Sequence, residues 1–394
     1  MPLRSLHGRR VLELGGYLAA PFAGNLLANL GAEVVKIEPF TGDPTRTMMG
    51  GGPGGTFIAY SHGKRSVCID LASDGGQEVF ARLLATADIV VHNLAPASVR
   101  KLRVGAEDCR RVNPDLIYCH IKGFGRGPRE DQVASNPIVE AASGVMFGNM
   151  VDGRPTRMGP SYHDMFAGMN AVIGILSELV TRLQGEPSRP LEVGLYETAL
   201  HVAARDLFKA RREHAAGRPK DAGAEFGMPG YGAYETADAR WVYLLLLSDA
   251  HWRRFCEQLG LPQQHDATLA TIQGRREQAA RVETAVRAAV RRLPFDRLGA
   301  ALAAAGVGFT EVRRPHDVFN DPQAAAPGKV IASRYRDQEF EVAAFPDMVP
   351  GEDVMLRSDP PLLGEHTLEV LRALGYAQAD CARLLAQRAV MAAQ

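Results

Sequence analysis

The chain lacks any excess of charge of one sign. Lys plus Arg and Asp plus Glu number 45 each in 394 residues, so no global field favours nucleic acid or an anionic membrane. A polyanionic ligand must be met by a local basic patch. Cysteine patterning is also missing: Cys68, Cys109, Cys119, Cys256 and Cys381 form no CxxC pair and no regular spacing. That argues against a metal site or a disulfide framework and for buried free thiols in a reducing compartment. No segment approaches the uninterrupted apolar length of a membrane span, and the stretch from Met1 to Arg10 lacks the apolar core of a signal peptide. The expectation is a soluble cytoplasmic protein. Gly15-Gly16-Tyr17 does not continue as GxGxxG, which disfavours a nicotinamide site. There is no internal repeat.

What is present is ample apolar material, 46% of the chain, at a length that suggests two domains or one large domain with an insertion. The strand-like run Val11 to Leu14, a glycine turn, a helix from Pro21 to Leu30 and the strand Val34 to Ile37 begin a parallel α/β sheet. Further strands are read at Val67 to Leu71, Ile89 to Val91, Leu116 to Ile121 and Leu191 to Leu195, with an amphipathic helix from Asp74 to Thr86. A helix from Glu197 to Arg212 leaves the first domain, and a Gly, Ala, Lys and Pro stretch follows as a linker. The buried strand Trp241 to Leu247, several helical patterns and the strand-like Val307 to Val312 read as a smaller α+β unit.

Two kinds of position stand out chemically. The loop from Met48 to Phe57 belongs to a long Gly/Pro-rich excursion, the kind that is mobile surface or covers a ligand. The basic pairs Lys64-Arg65 and Arg100-Lys101 flank strands whose ends are ligand positions in open sheets, so each is either a phosphate contact or solvated charge. Asp164 sits in Tyr162-His163-Asp164-Met165-Phe166-Ala167-Gly168, where the helical periodicity of Met169 to Leu183 begins. It is either an N-cap or an ionised carboxylate held at the positive end of a helix as a nucleophile.

The order of several short motifs resembles the class III CoA-transferase family, the formyl-CoA and crotonobetainyl-CoA transferase type, related to the α-methylacyl-CoA racemases. These motifs are Leu-Glu-Leu with Ala-Pro at 12–21, Leu30 to Glu38 leading to Gly42-Asp43-Pro44-Thr45-Arg46, Gly63-Lys64-Arg65-Ser66, and His92-Asn93 with Pro96. Lys122-Gly123-Phe124-Gly125, Asp164 with Gly168, and Pro361 to Thr367 complete the set, which spans nearly the whole chain.

The resemblance implies an α/β fold: a Rossmann-like large domain with a parallel sheet plus a smaller α+β domain, in two subunits interlocked as rings. The implied boundaries are 1–205 for the first part of the CoA-binding domain, 206–230 for a linker and 231–325 for the small domain. A returning linker follows at 326–345, and 346–394 completes the large domain. It implies acyl-CoA and a carboxylic acid as substrates, no permanently bound cofactor, no metal, no nucleic acid and no membrane. Asp164 is implied as the nucleophile, passing through an aspartyl anhydride and an aspartyl-CoA thioester. Oxyanion donors are implied near Tyr17-Leu18-Ala19 or in the segment Gly227 to Gly232. Coenzyme A is implied along Tyr17, Leu18, Ala19, Ile69, Asn93, Leu94 and Lys101, and because Pro39 stands where several members carry an Arg, Lys64, Arg65 and Arg100 are expected to supply the missing charge to the phosphates. The racemase branch carries a His about thirty residues before the Asp, which here is Ser135, and serine is no acid/base near neutral pH. A racemase and a non-catalytic acyl-CoA-binding protein are the alternatives. For the acyl group, the loop from Met48 to Phe57 with Met146, Met165 and Tyr231 is expected to form a partly apolar pocket, and Arg154, Arg157 or His163 to stand opposite a second carboxylate.

Overall fold

In a computed structural model, residues 5–48, 54–217, 228–346 and 358–393 are described. The chain divides into two compact units, residues 1–221 with 325–394, and residues 222–324.

The larger unit is built on β1 (Arg10–Leu14), α1 (Ala19–Asn29), β2 (Glu33–Glu38), β3 (Lys64–Ile69), α2 (Asp74–Thr86), β4 (Ile89–His92), α3 (Pro96–Leu102), β5 (Ile117–Lys122), α4 (Asn136–Ala142), α5 (Tyr162–Leu183) and β6 (Leu191–Gly194). The strands lie side by side as β3-β2-β1-β4-β5-β6, all parallel, and the short strand Val390–Met391 adds antiparallel to the β3 edge. This is a doubly wound order, in which the chain reverses direction of travel between β1 and β4 and opens a crevice at their C-terminal ends.

Strict alternation along the strands sorts the core. Leu12, Leu14, Val35, Ile37, Val67 and Ile69 face one layer with α2, whereas Val11, Val34, Ile89 and Val91 face the other with α1 and α5. On that second face the same alternation carries Glu13, Lys36 and Lys64 inward, all fully buried. Gly24 of α1 lies over them, where any Cβ would collide with Glu13 Oε2.

Three expectations are corrected here. The 22-residue helix Tyr162–Leu183 is long and apolar enough to cross a membrane by length and composition, although no such segment was expected. The shortfall came from starting the apolar run at Met169. Within the unit, α5 buries Ala167, Gly168, Ala171, Val172 and Ile175 as core helices do. The segment Glu197 to Arg212, read as one helix, is two, Leu195–Val202 and Ala204–Ala215. Residues 330–343, placed in a returning linker, form an antiparallel hairpin whose Tyr335 and Val342 pack with Phe57 and Ile58.

The smaller unit has an antiparallel sheet of Tyr231–Glu235, Trp241–Leu245 and Gly308–Glu311. Helices Asp249–Gln258, Ala279–Val290 and Phe295–Ala304 cover it over a core of Val242, Leu244, Trp252, Phe255, Val286 and Leu298.

Candidate active site

The crevice between β1 and β4 is lined by a turn that is fixed from three sides. Gly15 has φ +106° and no room for a Cβ, which would collide with Asn93 Oδ1. The Asn93 side chain brackets the next peptide, accepting from Gly16 N–H at 3.2 Å and donating to Gly16 C=O at 2.8 Å. Tyr17 then takes a left-handed φ of 63°, and its N–H donates to Asp43 Oδ1 at 3.2 Å. Lys36 Nζ donates to the Gly15 carbonyl at 3.3 Å. The turn therefore rests on the buried charges beneath it.

Those charges are matched in ion pairs, although Glu13 Oε2 and Asp43 Oδ2 have no hydrogen-bond partner among the described residues. Lys36 meets Glu13 at 2.8 Å and Asp43 at 2.9 Å, Lys64 meets Glu13 at 2.6 Å, and Arg46 meets Glu38 at 2.7 Å. Burial works against the Lys36 ammonium, but the charges of Glu13, Asp43 and Glu38 hold its pKa above the ordinary value. Burial dominates at Lys64 and brings it down to about 8.

Lys64 is accordingly corrected as a coenzyme A contact. Its ammonium has no solvent exposure and is taken up by Glu13 and the Pro21 carbonyl. Arg65 is corrected too, since it lies at the N-terminal end of β3, paired with Glu33 at 2.7 Å and with Glu369. The crevice is at the opposite ends of the strands. Ile69 is at the correct end of β3, but its side chain is buried in the core.

Asn93, Leu94 and Lys101 cluster after β4. The Leu94 peptide is clamped by two histidines: its N–H donates to His92 Nδ1 at 3.3 Å, and His120 Nε2 donates to its carbonyl at 2.9 Å. With Nδ1 accepting, the His92 proton is on Nε2 and is donated to Tyr118 Oη at 2.6 Å, while Tyr118 O–H donates to the Val104 carbonyl at 3.2 Å. Burial holds both imidazoles below their usual range. Lys101 is exposed in the last turn of α3 and makes no ion pair among the described residues. Arg100 pairs with Asp131 at 3.0 Å.

Asp164 is not the N-cap of α5. Ser161 holds that position, and Asp164 is the acidic residue of the first turn. It is half-buried, and among the described residues no hydrogen bond reaches its carboxylate. Burial pushes its pKa up to about 7, with Arg157 acting against the rise and Glu140 adding to it. Burial thus works against the ionisation that the helix start was expected to favour. One turn on, a Cβ at Gly168 would stand 2.9 Å from the Ala19 carbonyl and 3.0 Å from Phe22 Cδ1. Glycine thus lets the Asp164 end of α5 close on the start of α1. The Tyr17 N–H expected as an oxyanion donor is engaged by Asp43, whereas among the described residues the N–H groups of Leu18 and Ala19 bind no acceptor. Residues 228–232 of the expected glycine segment fall in the smaller unit, and Gly227 lies outside the described residues, as do positions 49–53 of the excursion loop.

Sequence reasoning missed Glu140, Asn136, Asp43 and Lys36. The signal for Lys36 is a cation inside an apolar strand, Val34-Val35-Lys36-Ile37. Nothing comparable marks Glu140.

A doubly wound parallel sheet with a glycine turn at its strand ends belongs to the class of α/β folds that hold their ligands there. The model of CoA-transferase family III matches residues 6–367. The chain belongs to that family and is an acyl-CoA:carboxylate CoA-transferase. Among its relatives, a succinyl-CoA:D-citramalate CoA-transferase of Chloroflexus aurantiacus is 29% identical over 99% of both chains. A succinate:glutarate CoA-transferase of Agrobacterium fabrum is 30% identical, covering 95% of this chain and 97% of that protein. The crystal structure of a CAIB/BAIF family protein from Brucella suis superposes with a TM-score of 0.83 at 28% identity, covering 94% of this chain and all of that one.

Proposed function

We propose that the protein moves coenzyme A from an acyl-CoA to a carboxylic acid by covalent catalysis at Asp164. One Asp164 oxygen attacks the thioester carbonyl carbon, the C–S bond breaks, and CoA thiolate leaves behind a mixed anhydride. The thiolate attacks the aspartyl carbonyl and expels the donor acid as its carboxylate, giving an aspartyl-CoA thioester. The acceptor carboxylate attacks that carbonyl and again releases CoA thiolate. Attack of the thiolate on the acceptor acyl carbon then frees Asp164. The Leu18 and Ala19 N–H groups at the start of α1 are the proposed donors to the successive oxyanions. Coenzyme A runs along Leu18, Ala19, Asn93 and Leu94, with Lys101 toward its phosphates and the exposed Tyr17 ring at the mouth of the crevice.

The observation that carries this reading is the Asp164 carboxyl itself, half-buried and unbonded one turn before Gly168. A capping carboxylate would be bonded to backbone N–H groups. Dicarboxylates are the proposed acids and succinyl-CoA the donor, in line with the two relatives' names, and Arg157 is the proposed partner of the second carboxylate. A Rossmann-like large domain in an interlocked homodimer is the proposed assembly. The five free buried cysteines suit a cytoplasmic setting.

Incubation with succinyl-CoA, followed by hydroxylamine and peptide mass mapping, tests the mechanism. Modification at Asp164 is expected. Solvent deuterium entering the α-carbon of an acyl group without CoA exchange would replace it with the racemase reading, and binding without either reaction would leave only an acyl-CoA-binding protein.

A further inference from the structure

Glu140 is fully buried on α4, yet only one of its oxygens is hydrogen-bonded. Oε1 accepts from Asn136 Nδ2 at 2.6 Å, and Oε2 has no hydrogen-bond partner. Asn136 also accepts the His163 backbone N–H at 2.9 Å, so one side chain ties Glu140 to the first turn of α5. His163 Nδ1 is likewise buried without a hydrogen-bond partner and stands 3.9 Å from Glu140 Oε1. Arg157 Nε lies 4.0 Å from Oε2, too far for a hydrogen bond. Two adjacent unsatisfied buried atoms are costly, and their persistence calls for a role that full pairing would abolish.

We propose that Glu140 is a positioning residue for the reaction: with one oxygen locked by Asn136, it holds the other open toward Arg157 and so fixes the charge environment of the Asp164 carboxylate. This rests on the assignment of Asp164 as nucleophile. A pure helix tie needs only the Asn136 bond. An open oxygen instead faces Arg157 across 4.0 Å without a hydrogen bond to hold the guanidinium. The charges acting on Asp164 are Arg157 and Glu140, and His163 Nδ1 stands against Glu140 Oε1. Helix α1, packed on α5, carries no charged side chain. The charges from the neighbouring strands and helix are engaged elsewhere, Lys122 with Glu192 at 2.9 Å and Glu197 with the Gly125 N–H at 2.8 Å.

The two neighbours push Asp164 in opposite directions, which makes the idea testable without a known substrate. In full-length protein labelled with [4-13C]aspartate, infrared difference spectra identify the Asp164 carboxyl as the band missing in Asp164→Asn. Its titration midpoint is then followed in wild type, Glu140→Gln and Arg157→Gln. The Glu140→Gln side chain keeps the acceptor that Asn136 needs and removes only the charge, so the midpoint falls by about one pH unit. Removing the Arg157 cation raises it by about one unit. Any result other than opposite shifts overturns the proposal, and if Glu140→Gln fails to fold, an unmoved midpoint in Arg157→Gln suffices to do so. Hydroxylamine trapping with Asp164→Ala runs alongside. An adduct that persists there removes the nucleophile assignment while leaving the charge result readable.

Discussion

The larger unit contains two buried groups of charges, and they are built on opposite plans. Beneath the Gly15-Gly16-Tyr17 turn, Glu13, Glu38 and Asp43 are matched by Lys36, Lys64 and Arg46 at ion-pair distances of 2.6 to 2.9 Å. Around the start of α5, Glu140 and His163 keep unbonded atoms, and no hydrogen bond reaches the Asp164 carboxylate among the described residues. The first set is charge-matched: Glu13 Oε2 and Asp43 Oδ2 also lack a hydrogen-bond partner, but each stands within 2.9 Å of an ammonium, and these pairings hold the turn. The second is left open, which suits the nucleophile proposed for Asp164.

The sharpest way to break this comparison is at Asp164. Asp164→Ala is expected to lower CoA transfer by about 1000-fold or more, with circular dichroism and melting unchanged or improved. Next in size is the charge-matched group. Lys36→Met leaves Asp43 without a cation and Glu13 with Lys64 alone, and is expected to cost about 3–5 kcal/mol in urea unfolding. The same substitution applied to Arg157, in the open group, is expected to change unfolding by less than about 1 kcal/mol.

A third prediction concerns pH. The folded-state pKa of Asp164 lies near 7, above its unfolded value. The native protein therefore keeps this proton where the unfolded chain has lost it. The contribution to stability is full below about pH 4 and is lost as pH rises through 7. Asp164→Asn is then expected to stabilise the protein at pH 8 by about 1–2 kcal/mol and to do nothing at pH 3.5. Transfer activity should fall on the acid side of about 7, since the attacking carboxyl must be ionised. The smallest expected effect is at the crevice rim: Lys101→Ala raises the KM for succinyl-CoA about three- to tenfold with kcat little changed, as for an exposed charge–phosphate contact.

How far the sequence reached can be judged residue by residue. The strands of the parallel sheet were legible because continuous apolar runs between glycine turns have few other solutions. Asp164 was legible because helical periodicity begins beside it. Lys64 and Arg65 were misread for a definite reason: a basic pair looks the same whether it faces a phosphate, a buried glutamate or a surface carboxylate. Glu140 was invisible because a carboxylate in a short helix carries no mark of its burial.

By itself the sequence determined the α/β class, the order of the elements and the placing of an acid at the head of a long apolar helix. These follow from local periodicity and from residues close together in the chain. Only the tertiary structure decided that Lys36 and Lys64 are core cations, that Asp43 has already taken the Tyr17 N–H, and that Asp164 titrates near neutrality. Each of these depends on which face of a strand or helix meets which neighbour, and on how much water is left between them. Charge, burial and hydrogen bonding act through space, so residues 24 positions apart such as Glu140 and Asp164 disclose their coupling once the chain is folded.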